Sequence, residues 1–140
     1  LGANVAVNYT TGNFLEESRR ATDNRGVHVV LESVGGDVLT KSIEALAPLG
    51  RLVTVGNSSR SDVTPDMDTL AIKNISFTSF SLARQMGYGG VMTELTAILQ
   101  LCAEGKLHPV IDRIFPLEDV IEATRYVEQR RNFGKVLLKP

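Results

Sequence analysis

The 140 residues include only one cysteine and no tryptophan, and their formal net charge is only −1. Cys102 has no second cysteine with which to form a disulfide or a cysteine-based zinc site, and a small buried side chain is favoured over a reactive thiol. The 15 basic and 16 acidic residues are interspersed, which argues against nucleic acid as a partner. No apolar run is long enough to cross a bilayer, and no signal peptide opens the sequence. We therefore expect a cytoplasmic protein without membrane contact. It opens on Leu1 rather than Met, so we expect a longer protein.

The clearest pattern is a strand–helix–strand unit over residues 25–57. Val27 to Leu31 is a nearly continuous apolar run, typical of a strand buried on both faces of a parallel sheet. Gly35-Gly36 ends that strand, and Asp37 is placed to cap the following helix. Apolar residues at helical spacing predict that helix, which Pro48 and Gly50 would end: Val38, Leu39, Ile43, Leu46 and Ala47. Leu52 to Val55 predicts the second strand.

Two turns of this unit lie where parallel sheets bind ligands. In open α/β sheets, ligands bind beyond the carboxyl ends of the strands. Here those ends are Ser33–Gly36 and Val55–Asn57, which both contain glycine and leave room for a close approach by a ligand. The residues alone leave two interpretations open: plain turns, or a ligand lying across both.

Further elements are predicted on both sides of this unit. Apolar patterning predicts strands at Asn4–Tyr9, Ile75–Leu82, Leu107–Phe115 and Lys135–Lys139, and helices at 14–22, 91–103 and 118–130. The strand at Ile75–Leu82 alternates apolar and polar residues, as sheet edges do. The polar stretch 58–68 predicts a surface loop, or a loop that orders over a ligand, and the glycines at 87, 89 and 90 predict a bend. The helix at 91–103 has one apolar face: Met92, Leu95, Ile98, Leu99 and Cys102.

An ordered set of segments resembles one protein family over nearly the whole chain. The segments are Leu1–Ala3, Val7–Tyr9, Arg25–Gly36, Leu46–Val53, Gly105–Leu107, Phe115–Glu118 and Asn132–Leu138. Together they resemble the cofactor domain of the medium-chain dehydrogenase/reductases, in the quinone oxidoreductase (zeta-crystallin-like) branch. The resemblance implies an α/β fold: a partial Rossmann-type doubly wound parallel sheet with helices on its faces, and a C-terminal α+β arm. Residues 1–105 would be a partial NAD(P)-binding domain. Residues 106–140 would be an arm that packs with a catalytic domain.

The resemblance also implies an activity. Proteins of this branch reduce quinones, enones or similar carbonyl compounds by hydride transfer from a nicotinamide cofactor, without zinc. The resemblance favours NADP(H) over NAD(H) as the cofactor. It implies no bound metal and no catalytic residue among these 140 residues. No G-x-G-x-x-G motif occurs in the chain, so the phosphate loop of the family is absent from it.

Eleven positions match family positions near the cofactor. Tyr9 matches a tyrosine near the adenosine phosphate, and Val34 and Gly35 match the turn that lines the cofactor. Val55, Gly56 and Asn57 match the segment beside the nicotinamide ribose, and Phe80, Ser81 and Leu82 match the strand end at the carboxamide. Arg130 and Asn132 match the tail that approaches the cofactor. For Tyr9 an aromatic packed at a strand end, and for Arg130 a solvated charge, are alternatives from the residues alone.

The sequence departs from the family at two positions. His28 and Glu32 stand where the family usually has aspartates, and only Glu32 keeps the charge. His28 and His108 have no neighbouring metal-type residue, so packed or solvent-facing histidines are favoured over ligands.

Two other functions remain open. One is a non-catalytic dimerisation or nucleotide-binding module. The other is an S-adenosylmethionine-dependent methyltransferase-like domain, which leaves the segment Asn132–Leu138 unexplained.

Two expectations concern the sheet itself. By family correspondence, Val5–Tyr9 is the third strand of the complete sheet and Val27–Leu31 is the fourth, while the two strands that separate them are absent. One remedy is that Val5–Tyr9 moves beside Val27–Leu31 as a parallel pair, and the other is that a second chain supplies the missing neighbour. We expect the first, because closing so short a loop costs little beside association. We also expect a homodimer through Ile75–Leu82, where the family joins two sheets.

Overall fold

The computed structural model describes residues 2–61, 64–87 and 91–140. It divides the chain into two compact units, Leu1–Arg84 and Gln85–Pro140, each with its own sheet and core. The predicted boundary between residues 105 and 106 came from the family resemblance and stays a prediction. The predicted mixed α/β class with parallel strands is confirmed.

The first unit is a parallel sheet with the order β1-β2-β3. Val30, Leu52 and Phe77 stand side by side across its three strands, so their side chains share one face. Its elements are α1 (Phe14–Ala21), β1 (Val27–Glu32), α2 (Gly36–Ala45), β2 (Leu46–Thr54), α3 (Met67–Lys73) and β3 (Ser76–Ser79). The predicted strand–helix–strand unit is therefore present, with β1 and β2 as a parallel pair.

Two helices cover one face of this sheet. Leu39 and Ile43 on α2 and Leu70 on α3 form a buried cluster with Leu46 and Leu52, and Val30 and Phe77 pack against it. On the opposite face the side chains of Val29 and Leu31 are 66% and 72% exposed. The apolar run that predicted burial on both faces is therefore buried on one face.

The predicted strand at Asn4–Tyr9 is wrong. Residues 2–8 adopt no strand, and β1 pairs with β2 alone among the described residues. Instead, Thr11 N–H and Gly12 N–H donate to the carbonyl of Asn8 and close a turn. The predicted sheet with Val5–Tyr9 beside Val27–Leu31 is contradicted, because local hydrogen bonds shape the end of this segment and it makes no ladder.

Helix α2 differs from its prediction at both ends. Gly35, with φ of 77°, precedes it as the N-cap, so Asp37 lies in the first turn instead of capping it. The helix ends at Ala45, and Leu46 and Ala47 belong to β2. Both are buried. A buried apolar residue fits the helical spacing pattern equally well at the end of a helix and at the start of a strand, so the pattern did not separate the two.

Helix α3 was not predicted, because the polar stretch before it reads as a loop. Asp66 caps it: its carboxylate accepts from Asp68 N at 3.3 Å and Thr69 N at 3.1 Å. The Thr69 hydroxyl, followed by these two N–H groups, holds the pKa of Asp66 below its ordinary value of 3.8. At the other end, Lys73 Nζ donates to the carbonyls of Glu44 at 2.8 Å and Leu46 at 2.9 Å, which ties α3 to the end of α2.

The third strand of the sheet is shorter than predicted. Within the predicted strand Ile75–Leu82, β3 covers Ser76–Ser79, and Leu82 begins α4 (Leu82–Gly87). Gly87 closes that helix, and the other two glycines of the predicted bend lie outside the described residues.

The second unit contains a two-stranded parallel sheet and two helices. It contains α5 (Val91–Ala103), β4 (Ile111–Pro116), a 3-10 turn (Leu117–Asp119), α6 (Val120–Glu128) and β5 (Lys135–Lys139). Strands β4 and β5 are parallel, and Phe115, Ala123 and Tyr126 form the core between them and α6. The guanidinium carbons of Arg113 and Arg131 lie 4.8 and 4.9 Å from the centre of the Tyr126 ring.

Helix α5 has the predicted bounds but not the predicted burial. None of its residues is buried, and Met92 and Leu99 are 67% and 59% exposed. Cys102 is partly exposed. Helical spacing of apolar residues identifies a face but not the surface that covers it. No helix in the described ranges is both long and apolar enough to span a membrane.

Candidate functional site

A cavity of about 700 Å³ opens at the carboxyl ends of β1, β2 and β3. Its volume lies within the roughly 300–1,000 Å³ of small-molecule sites. The three strands are parallel, so their carboxyl ends meet along one edge of the sheet. The Glu32–Gly35, Thr54–Asn57 and Ser79–Leu82 segments each contribute residues to its wall.

Seven of the eleven predicted cofactor residues line this cavity: Gly35, Val55, Gly56, Asn57, Phe80, Ser81 and Leu82. They come from three separate segments, which the sheet brings together. Phe80 N–H donates to the carbonyl of Thr54 at 2.8 Å, so the segment after β3 stays beside the segment after β2. The structure therefore assembles most of the predicted site, whereas the binding role of each residue stays a prediction.

Gly35 occupies a backbone conformation that other residues rarely adopt. Its φ is 77° and its ψ is −165°. A Cβ on Gly35 would collide with the side-chain amide of Asn57 and would lie 3.1 Å from Ser59 Oγ. The turn after β1 and the loop after β2 therefore approach closely because residue 35 has no side chain.

Hydrogen bonds hold these two segments together. Ser58 N–H donates to the carbonyl of Ser33 at 3.1 Å, and Ser59 N–H donates to that of Val34 at 2.7 Å. Asn57 accepts from Ser59 Oγ at 2.9 Å through Oδ1 and donates to the Ser61 carbonyl at 3.1 Å. The Asn57 side chain thus braces its own loop at the wall of the cavity.

A buried carboxylate lies beneath the turn. Glu32 is 3% exposed, and its Oε1 accepts from the N–H groups of Val34 at 2.7 Å and Gly35 at 3.0 Å. Oε2 accepts from Gly35 N–H at 3.1 Å. Sequence comparison with the family drew attention to Glu32 only as a departure. Its position between the apolar run of β1 and Gly35-Gly36 is the signal that could have identified it.

The lining of the cavity suits a neutral ligand that has both polar and apolar surface. Thr54, Ser61, Thr64, Ser79 and Ser81 supply hydroxyl groups, and the apolar lining comes from Leu39, Val55, Pro65, Phe77, Phe80 and Leu82. No lysine or arginine occurs among the described lining residues, and the single carboxylate there is already bound to N–H groups. A phosphate group would therefore find no cationic side chain in this described lining.

Sequence reasoning missed several of these lining residues. Thr54 and Ser79 are the last residues of β2 and β3, and Leu39 reaches the cavity from α2. Thr64 and Pro65 approach it from the segment before α3. The rule that ligands bind beyond strand ends could have included Thr54 and Ser79, whereas the other three depend on tertiary folding.

The other four predicted residues lie elsewhere. Tyr9 and Val34 line a second cavity of about 230 Å³ next to α1 and α2, and Glu32 borders both cavities. Arg130 and Asn132 belong to the second unit, after α6. There the Asn132 side chain donates to the Gly134 carbonyl at 2.7 Å within its own turn.

The chain does not assemble a metal site within the described residues. No three of their histidine, cysteine, aspartate or glutamate side chains are grouped so that they could hold an ion. Zinc sites in proteins use three or four such ligands. Within the described residues, the donor set does not fit a zinc ion.

Comparison with known protein families gives one match over nearly the whole chain. The family described as zinc-binding dehydrogenase matches residues 1–138. Quinone oxidoreductase-like protein 2 of Bos taurus is 35% identical over 139 residues, which cover 98% of this chain and 40% of that protein. The 2-haloacrylate reductase of a Burkholderia species is 31% identical over 143 residues, covering 100% of this chain and 43% of the reductase.

Solved structures agree with the fold. An NAD-dependent alcohol dehydrogenase superimposes with a TM-score of 0.84 and 32% identity, over 99% of this chain and 38% of that one. A quinone oxidoreductase from Pseudomonas syringae also has a TM-score of 0.84, at 26% identity, over 99% of this chain and 43% of that one. The chain spans about two fifths of the length of these relatives.

Proposed function

The chain belongs to the zinc-binding dehydrogenase family of the medium-chain dehydrogenase/reductases, and on that basis we propose that the whole protein reduces a quinone, an enone or a related carbonyl compound with NAD(P)H. The observation that supports this proposal is the cavity at the carboxyl ends of three parallel strands. Its walls are the segments that match cofactor-lining positions in the family.

These residues fit the uncharged part of a nicotinamide nucleotide. The bound cofactor would supply a hydride. The protein's contribution is to bind and orient the ring and ribose against the Gly35 turn, Val55–Asn57 and Phe80–Leu82. Leu39, Phe77 and Phe80 would exclude water from that surface, while peptide and hydroxyl groups would accept or donate hydrogen bonds. NADP(H) is the proposed cofactor in preference to NAD(H).

We propose a reaction without zinc. The support for this proposal is the resemblance to the quinone oxidoreductase branch, whose members work without zinc. No step of the proposed reaction is therefore assigned to zinc.

Consumption of NADPH and NADH by the whole protein tests the function. We expect oxidation of the reduced cofactor with 1,4-benzoquinone or a simple enone, a lower KM for NADPH than for NADH, and no loss of rate after dialysis against a zinc chelator. A saturated alcohol offered with the oxidised cofactor is the control for an alcohol dehydrogenase. Failure to oxidise either reduced cofactor with any of these acceptors would contradict the proposal.

We also propose that the whole protein forms a homodimer through the segment Ile75–Leu82. Strand β3 ends the sheet within the described part of the chain, so one of its edges is open. Phe80 N–H faces β2, and amide groups alternate along a strand. Ser79 N–H therefore faces the open edge, whereas Thr78 N–H faces β2.

Proline substitution distinguishes these two positions. Ser79→Pro removes a donor from the open edge and is expected to convert the dimer to monomer in light scattering. Thr78→Pro removes a donor inside the sheet and serves as the control for general damage, followed by circular dichroism. A Ser79→Pro protein that stays dimeric and folded would contradict this interface.

A further inference from the structure

The carboxylate of Glu32 is the one buried charged group of the first unit, among the described residues. A buried glutamate is rare unless its charge is paired or hydrogen-bonded. Here the partners are backbone N–H groups: Val34 at 2.7 Å and Gly35 at 3.0 and 3.1 Å. Such charge-assisted bonds are stronger than neutral ones. The carboxylate therefore fixes the turn that follows β1.

The turn after β1 also holds the loop that follows β2 on the other side of the cavity. The carbonyls of Ser33 and Val34 accept from Ser58 N–H and Ser59 N–H. The Asn57 side chain lies against Gly35 and is itself held by Ser59. A shift of the Val34–Gly35 peptide would move both of these walls, because they share hydrogen bonds and close contact.

Glu32 is poorly placed to bind a ligand directly. Both carboxylate oxygens already accept from the turn, and the residue is 3% exposed. Its effect on a bound molecule therefore passes mainly through the Val34–Gly35 backbone. It stands at the border of the two cavities, so this backbone forms part of the wall of each.

We propose that Glu32 is a positioning residue whose buried carboxylate sets the affinity for the nicotinamide cofactor by fixing the Ser33–Gly35 turn and, through it, the Asn57–Ser61 loop. This inference rests on the proposed function. The wall holds the cofactor equally in the ground state and in the transition state. Loss of the carboxylate therefore weakens cofactor binding by the same amount in both states, which raises KM and leaves kcat nearly unchanged.

The test uses three variants of the whole protein. Glu32→Gln removes the charge with little change in volume, and Glu32→Asp keeps the charge on a shorter side chain. Glu16→Gln makes the same chemical change at an exposed position on α1 and is the matched control. For each, titration with NADPH and with NADH gives Kd, steady-state kinetics gives KM and kcat, and hydrogen exchange reports on the amides of Val34 and Gly35.

We expect Glu32→Gln to raise the Kd and KM for the cofactor about tenfold, the effect of one lost charge-assisted hydrogen bond. Its kcat should stay within about twofold of wild type, and the two amides should exchange faster. Glu32→Asp should restore most of the affinity, and Glu16→Gln should match wild type.

Different failures have different meanings. A Glu32→Gln protein that melts earlier but binds the cofactor as wild type does would overturn the positioning role and leave the proposed function intact. Wild-type protein that binds neither cofactor would overturn both. If Glu32→Gln does not fold, Glu32→Asp provides the test. Faster hydrogen exchange at Val34 and Gly35 with an unchanged Kd would show that cofactor affinity does not depend on the turn, and would refute the inference.

Discussion

Replacing Gly35 by alanine is expected to destabilise the first unit and to weaken cofactor binding together. An alanine at φ of 77° and ψ of −165° sits in a region nearly restricted to glycine, at a cost of about 1–3 kcal/mol. The added methyl group also displaces Asn57, whose bonds with Ser59 and Ser61 contribute about 0.5–1.5 kcal/mol each when well formed. Because Asn57 is exposed, we expect a total loss of about 2–4 kcal/mol in the free energy of unfolding.

Gly56→Ala is the matched control, since Gly56 lines the same cavity. Its φ is not positive, and a Cβ there would lie 3.5 Å from the Ser33 carbonyl, an ordinary contact. That variant should unfold as wild type does or gain up to about 1 kcal/mol. Urea unfolding followed by circular dichroism, and titration with NADPH, measure both effects in the whole protein. Equal unfolding midpoints for the two alanine variants would refute the role given to Gly35.

Three further predictions concern other contacts. Lys73→Met should lower the free energy of unfolding by about 1–3 kcal/mol, because the carbonyls of Glu44 and Leu46 lose a charged donor; Lys41→Met, at an exposed position, is its control in urea unfolding. Asp66→Asn should lower the melting temperature at neutral pH. The difference from wild type should vanish as the pH falls below 3.8 and through the depressed pKa of Asp66, because protonation then removes the same charge from wild type. A difference that does not depend on pH would contradict the capping role. Residues 1–140 alone should bind NADPH weakly or not at all, because they contain no glycine-rich phosphate loop, and a micromolar Kd by calorimetry would show otherwise.

The strand–helix–strand unit could be predicted because its signals are local. Val27 to Leu31 and Leu52 to Val55 are apolar runs with glycine nearby. The first forms nearly all of β1, and the second supplies only the last three residues of β2, which begins at Leu46. The glycine turns at the strand ends indicated Gly35 and Val55–Asn57. The family resemblance, confirmed by the comparisons, added Phe80, Ser81 and Leu82 at the same cavity.

Three features escaped prediction, each for its own reason. Asn4–Tyr9 has the composition of a strand, yet it has no neighbouring strand to pair with among the described residues. Helix α3 is only seven residues long, and its stability comes from the cap at Asp66 and from Lys73 reaching α2. Glu32 looked like a substitution of one acid for another, and only the folded turn shows which N–H groups it binds.

The order of the strands has a consequence for how the chain folds. Each strand pairs in parallel with the next strand of its unit along the sequence: β1 with β2, β2 with β3, and β4 with β5. Each pairing closes one crossover between strands that follow one another in the chain, so the loop entropy lost at each step is small. Strands β2 and β3 can therefore join β1 in the order in which they are synthesised. Pulse-labelling hydrogen exchange on stalled chains should show Leu52 protected before β4 has left the ribosome.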